Sequence, residues 1–114
     1  SRIDCFQRAL ALDPQVAVAW NRLGIAGGGE VGGQPFSKIG CYQRAVALDP
    51  QYANAWSNLG TQGGGVVGGQ AFSNIACYQR SVDLDPQHAV AWHNLGTAGG
   101  GEVGGQAFSK IACY

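Results

Sequence analysis

Apolar residues recur at helical spacing in the first part of a unit that repeats along the chain. Ala17, Trp20, Leu23 and Gly24 lie at i, i+3, i+6 and i+7, so they fall on one face of a helix. The same residue types return at residues 53–60 and 89–96. The pattern predicts an amphipathic first helix of about 13 residues in each unit, ending near Ala26 in the first unit.

A second apolar pattern follows later in each unit and predicts a second helix of about 14 residues. Its apolar positions are Phe36, Ile39, Tyr42, Ala45, Val46 and Leu48. Residues 43–49 also consist largely of good helix formers. Each first helix is expected to begin at an Asp-Pro pair, with the aspartate as the N-cap and the proline in the first turn. The three aspartates are Asp13, Asp49 and Asp85.

A glycine-rich stretch separates the two helical patterns. It reads GGGEVGGQ at residues 27–34 and has relatives at residues 63–70 and 99–106. Each glycine costs a helix about 1 kcal/mol relative to alanine, so the stretch predicts a loop of about 8 residues with several glycines at positive φ. The short connections predict two antiparallel helices in each unit. A second hypothesis is that the glycine amides cradle a phosphate or a carboxylate.

The unit is 36 residues long and is repeated in tandem. Residues 14–49 and 50–85 are identical at 24 of 36 positions. Such repetition is typical of a solenoid. The predicted organisation is a single array, with the second helix of a partial repeat at residues 1–13, repeats at 14–49 and 50–85, and a truncated repeat at 86–114. We expect the chain to be a piece of a longer array, since both ends fall inside a repeat.

These units resemble the tetratricopeptide repeat family. The family's W-x2-L-G pattern is present at residues 20–24, 56–60 and 92–96. The aromatic, small residue and proline of the family follow at Tyr42, Ala45 and Pro50. The period of 36 exceeds the usual length of about 34, and glycine replaces one aromatic, whose volume we expect Phe36 to supply. The resemblance implies an all-α fold, a right-handed superhelical solenoid of antiparallel helix pairs.

The resemblance also implies a binding surface, because the first helices of this family line a concave face and contact ligands near the Leu-Gly pair. Carried over position by position, the candidate partner-binding residues are Asn21, Arg22, Ile25, Asn54, Ser57, Asn58, Thr61, His93, Asn94 and Thr97. Asn58 and Asn94 form a row of amides, similar to the asparagine rows that hold extended peptide backbones in some members. An amide can both donate and accept hydrogen bonds. The alternative is a row of ordinary solvated side chains on an exposed helix face.

Charge and hydropathy limit the kinds of partner. The chain has 7 basic and 7 acidic residues and no net charge, whereas binding to nucleic acid or an anionic membrane requires a basic excess. No apolar run approaches the roughly 20 residues of a membrane span. We therefore expect a protein or peptide partner, in one interpretation within a large multi-subunit complex, with no nucleic acid and no direct membrane insertion.

No combination of residues predicts catalysis, and we expect neither enzymatic activity nor a cofactor or metal. Residues 27–32 satisfy GxGxxG, but a dinucleotide site needs a strand before the glycines, and the pattern there predicts a helix. His88 and His93 lack the i, i+4 spacing of a helical metal pair. We expect the cysteines to be small buried apolar residues rather than disulfide partners. They occupy one place in successive repeats, at Cys5, Cys41, Cys77 and Cys113.

The leading functional hypothesis is a protein-interaction scaffold that binds a partner segment on the concave helix face. Two alternatives stay open at this point. One is a structural subunit docked permanently in a large assembly, and the other is a regulatory or substrate-guiding array of a larger enzyme.

Overall fold

The chain folds into helix pairs whose members are joined by short β-hairpins. The computed structural model describes residues 2–99, 101–103 and 106–108. The helices are α1 (Arg2–Leu12), α2 (Ala17–Ile25), α3 (Lys38–Leu48), α4 (Ala53–Thr61), α5 (Asn74–Leu84) and α6 (Ala89–Thr97). The strands are β1 (Gly29–Val31), β2 (Gln34–Phe36), β3 (Gly64–Val67), β4 (Gln70–Ser73), β5 (Gly101–Val103) and β6 (Gln106–Phe108).

The glycine stretch is a two-stranded antiparallel hairpin and not a loop. Val31 pairs with Gln34 across Gly32 and Gly33, whose φ angles are 59° and 79°. Positive φ at both central residues is the requirement of a type I′ turn, which glycine meets at no steric cost. The prediction of glycines at positive φ is therefore confirmed. The glycines end the helix, and they also allow the tight turn that pairs the two strands.

These hairpins overturn the predicted fold class. Within the described residues β1–β2, β3–β4 and β5–β6 form three separate two-stranded sheets, one after each first helix. The prediction of an all-α fold, a right-handed superhelical solenoid of antiparallel helix pairs, is therefore wrong. The chain is a mixed α and β fold in which a sheet interrupts each helix pair.

The beginnings of the helices also differ from the prediction. The first helices end where expected, with Ala26 as the C-cap of α2, but they start three residues after the proline, at Ala17 in the first unit. Asp49 is not an N-cap: it is the C-cap of α3, and its Oδ1 accepts a hydrogen bond from the Gln51 N–H at 3.1 Å. This local bond favours a turn over a helix.

The second helices also begin later than expected, because a serine side chain caps the start of α3 and of α5. Phe36 lies in β2, and Ser37 is the N-cap of α3, with its Oγ accepting from the Gly40 N–H at 3.1 Å. Ser73 caps α5 in the same way. The N-cap serine thus marks where each hairpin gives way to a helix.

The core repeats from unit to unit around a tryptophan. Trp20 is 2% exposed, and its ring meets that of Phe36 edge-on, with centroids 4.7 Å apart. The Trp20 Nε1–H donates to the Pro14 carbonyl at 2.8 Å, which ties the buried ring to the turn before its helix. Phe36 supplies an aromatic ring to this core, as expected, although it does so from a strand.

The two helices of a unit approach closely at the glycine of the Leu-Gly pair. A Cβ atom on Gly24 would lie 2.6 Å from Tyr42 Cε1, and one on Gly60 would lie 2.7 Å from Tyr78 Cε1. No side chain fits at either place, so the tyrosine ring of the second helix lies directly on the backbone of the first.

Neighbouring units are joined by a glutamine. Gln43 on α3 accepts a hydrogen bond through its Oε1 from the Val66 N–H of the next hairpin at 2.7 Å, and Gln7 binds the Glu30 N–H in the same way at 2.7 Å. A Cβ atom on Gly65 would lie 2.7 Å from the Gln43 Oε1. The bond satisfies an outward N–H of an edge strand, which would otherwise be open to pairing with another chain.

The cysteines divide into two environments. Cys41 and Cys77 are fully buried, as predicted, whereas Cys5 is exposed on α1, so the prediction is wrong for that residue. Cys113 lies outside the described residues. Burial raises the pKa of both the Cys41 and the Cys77 thiol from 9.0 to about 11. Burial, and to a lesser degree the neighbouring Cys41, also raises the pKa of Tyr42.

These shifts predict a loss of stability in alkaline solution. Between pH 9 and pH 11 the unfolded thiols lose their protons while the folded thiols keep them. Since the folded state then binds more protons, the free energy of unfolding falls as the pH rises, by about 1–2 kcal/mol for each thiol. Urea titrations at pH 8.5 and pH 10.5 measure the loss. Cys77→Ala should show a smaller loss than the wild type, and equal losses would contradict the assignment.

Candidate binding groove

A groove of about 300 Å³ runs between α2, α4 and the start of α6. We call it the central groove. Its lining residues are Asn21, Arg22, Ile25, Tyr52, Asn54, Ser57, Asn58, His88 and Val90. Most of these side chains are polar and neutral, and Ile25 and Val90 are aliphatic side chains that are 55% and 61% exposed.

The structure brings six of the ten candidate residues together in this groove: Asn21, Arg22, Ile25, Asn54, Ser57 and Asn58. Thr61, His93, Asn94 and Thr97 do not line it. Thr61 lies one turn further along α4, where its hydroxyl donates to the Ser57 carbonyl at 3.0 Å and accepts from the Tyr78 hydroxyl at 3.4 Å. His93, Asn94 and Thr97 lie on α6, with His93 and Thr97 exposed.

A chain of hydrogen bonds links the units at the floor of the groove. The Asn58 Nδ2–H donates to the Asn21 Oδ1 at 2.9 Å, and the Asn21 Nδ2–H donates to the Tyr52 hydroxyl at 3.2 Å. Asn21 is only 4% exposed. It is therefore placed to hold Asn58 in a fixed position.

Within this chain of hydrogen bonds, Asn58 and Tyr52 keep groups that can bind a ligand. An asparagine side chain has two N–H donors and an oxygen acceptor, so Asn58 keeps one N–H and its oxygen after donating to Asn21. The Tyr52 hydroxyl accepts from Asn21 and keeps its own proton for donation. Asn58 is half-buried and held in place. A donor and an acceptor fixed side by side match one peptide unit of an extended backbone.

Three lining residues were missed by the sequence reasoning: Tyr52, His88 and Val90. Tyr52 and His88 are the N-cap residues of α4 and α6, and the predicted helix start at the Asp-Pro pair had placed them inside a helix. The His88 Nδ1 accepts from the Ala91 N–H at 3.3 Å, which leaves its other ring nitrogen as a donor. The signal available in the sequence was the Asp-Pro pair itself, since aspartate followed by proline is typical of the first two positions of a turn.

A smaller groove adjoins the central groove on the side of α1. This end groove has a volume of about 90 Å³ and is lined by Arg2, Phe6, Arg22, Ile25 and Ala26. Arg22 and Ile25 line both grooves. The two grooves therefore lie side by side, and we call the pair the channel.

The first glycine hairpin does not have the context of a dinucleotide site, and two of its glycine amides already donate within the protein. The first of them follows helix α2, not a strand, so the GxGxxG spacing does not have the context of a dinucleotide fold. The Gly28 N–H already donates to the Leu23 carbonyl at 2.9 Å, and the Gly27 N–H donates to the Gly24 carbonyl at 3.0 Å. Amides that donate inside the protein are not free to bind an anion.

Two further features are absent from the residues that the structure describes. In this part of the chain no group of three or more histidine, cysteine, aspartate or glutamate side chains is placed to hold a metal ion. None of the helices in the described ranges has both the length and the apolar character needed to cross a membrane.

Comparison of the chain with protein-family models finds no match, and comparison with curated proteins finds none either. The geometry of the channel and the chemistry of its lining residues are therefore the basis for a function.

Proposed function

We propose that the chain is a protein-interaction module that binds an extended segment of a partner protein along the central groove. The observation that carries the proposal is the chain of hydrogen bonds from Asn58 through Asn21 to Tyr52. It holds a free amide donor and acceptor in a fixed position, and a fixed partner costs less conformational entropy on binding than a mobile one.

The surroundings of these amides support the same function. Exposed aliphatic side chains, Ile25 and Val90, line the groove with the amides. They offer apolar contacts to the side chains of a bound segment, while the amides bind its backbone. The resemblance to the tetratricopeptide repeat pattern at residues 20–24 and 56–60 agrees with a binding role.

The proposal is tested with a random library of twelve-residue peptides, acetylated and amidated so that neither terminus carries a charge. We expect a subset to bind, and Asn58→Ala to weaken their binding about tenfold, because it removes one or two hydrogen bonds. Fluorescence anisotropy gives the dissociation constants, and circular dichroism checks that the variant is folded.

Gln51→Ala is the matched control, because Gln51 is an exposed amide outside the channel whose hydrogen bond to Asp49 uses its backbone N–H. The control should bind as the wild type does. If no peptide binds, or if the peptides that bind are insensitive to Asn58→Ala, the proposed function is wrong.

A further inference from the structure

The first two units are so similar in sequence that a segment bound along the groove could occupy more than one register relative to them. A backbone-binding amide such as Asn58 reads no side chain, and residues 14–49 and 50–85 share 24 of 36 positions. A bound segment would slide by one unit at little cost if both units presented the same groups. Register must therefore come from positions that differ between the units.

Two of the positions that differ line the channel. Position 22 is arginine in the first unit, and its equivalents in the next units are Asn58 and Asn94. Ile25 is likewise replaced by Thr61 and Thr97. Only the first unit therefore presents a guanidinium and an aliphatic side chain together, at the junction of the central groove and the end groove.

Charge is distributed unevenly around this junction. The whole chain has no net charge, yet no acidic side chain is among the described residues that line either groove. Arg2 and Arg22 both line the end groove, and both are exposed. Two guanidinium groups without a lining carboxylate attract an anionic side chain, and guanidinium groups bind carboxylates with two parallel hydrogen bonds.

We infer that the channel selects partner segments with aspartate or glutamate at the end that lies over α1 and α2, and that Arg22 sets their register. The inference rests on the proposed function, since it describes the same bound segment. Arg2 adds to the attraction, and Ile25 favours an aliphatic side chain beside the acidic one. Asn58 then binds the backbone further along, at a position where the following unit again has an asparagine, Asn94.

The test compares matched peptides drawn from those that bind in the library. Each is made with glutamate, glutamine or lysine at the same two positions, acetylated and amidated, and titrated at low and at high salt. We expect the glutamate peptide to bind about fivefold to tenfold more tightly than the glutamine peptide. The advantage should shrink at high salt, because the charges are exposed.

Variants of Arg22 separate a charge effect from a structural one. Arg22→Gln should remove most of the preference for glutamate, so that the glutamate and glutamine peptides bind with similar affinities, and Arg22→Lys should keep most of the preference. Arg22→Glu should reverse it in favour of the lysine peptide. Arg8→Gln is the matched control, since Arg8 is exposed on α1 but lines neither groove.

The outcomes distinguish the inference from the proposed function. Peptides that depend on Asn58 but bind equally with glutamate and glutamine would overturn the inference and leave the function standing. A preference for glutamate that is as large in Arg22→Gln as in the wild type would also overturn it. A library in which nothing binds would overturn the function and the inference with it.

Discussion

Trp56→Ala is expected to lower the free energy of unfolding by about 3–5 kcal/mol. The ring is 2% exposed and packs edge-on against Phe72, with centroids 4.9 Å apart. Its Nε1–H donates to the Pro50 carbonyl at 2.9 Å, and the Arg80 guanidinium lies 5.3 Å from the ring centroid. The substitution removes all of these contacts and leaves a cavity in the central unit.

Urea unfolding followed by circular dichroism measures the loss, and Cys77→Ala is the comparison. Cys77 is also fully buried in the same unit, but the substitution deletes only one heavy atom, so its cost should be about 1–2 kcal/mol. Losses of the same size for the two variants would mean that Trp56 is not the centre of the core.

Gly64→Ala is expected to destabilise the protein by about 2–4 kcal/mol. Gly64 has a φ of 97°, which an alanine tolerates poorly. In addition, a Cβ atom at this position would collide with the carbonyl oxygen of Phe72 in the paired strand. The obstacle is backbone, which moves only by disturbing the hairpin.

The neighbouring glycine provides the control, because it has the strain without the collision. Gly63 has a φ of 99°, and a Cβ atom there would meet nothing within 4 Å. Gly63→Ala should therefore lower the free energy of unfolding by about 1 kcal/mol, which is the cost of the unfavourable φ angle alone. If thermal unfolding shows equal losses for the two variants, the packing of the hairpin described above is wrong.

Helix faces and glycine conformations were predictable from the sequence, because each depends on short-range spacing. The apolar spacing places Trp20 and Leu23 in the core, and the glycine stretch does end the first helix. The hairpin could also have been predicted from the sequence. Two glycines between Val31 and Gln34, with Phe36 two residues further on, are typical of a two-residue turn between strands. The cost of glycine in a helix predicts only where the helix ends, so it does not distinguish a hairpin from a loop.

The binding groove was predictable only in part. The residues of α2 and α4 that line it follow from helix periodicity. Tyr52 and His88 do not, because their place depends on whether Asp49 and Asp85 cap the following helix or close a turn. The burial of Asn21 depends on a hydrogen bond between residues 37 positions apart in the chain. No local pattern reports such a contact.

The glutamine link between units bears on how repeated units diverge after duplication. Gln7 and Gln43 bind backbone N–H groups, so the side chain of the bound strand residue is free to vary: it is glutamate at position 30 and valine at position 66. The glycine before it has no such freedom, because the glutamine occupies the space of a Cβ atom at Gly29 and Gly65. The first two hairpins thus each contain a position open to substitution beside one closed to it, and new surface chemistry can arise there without separating neighbouring units.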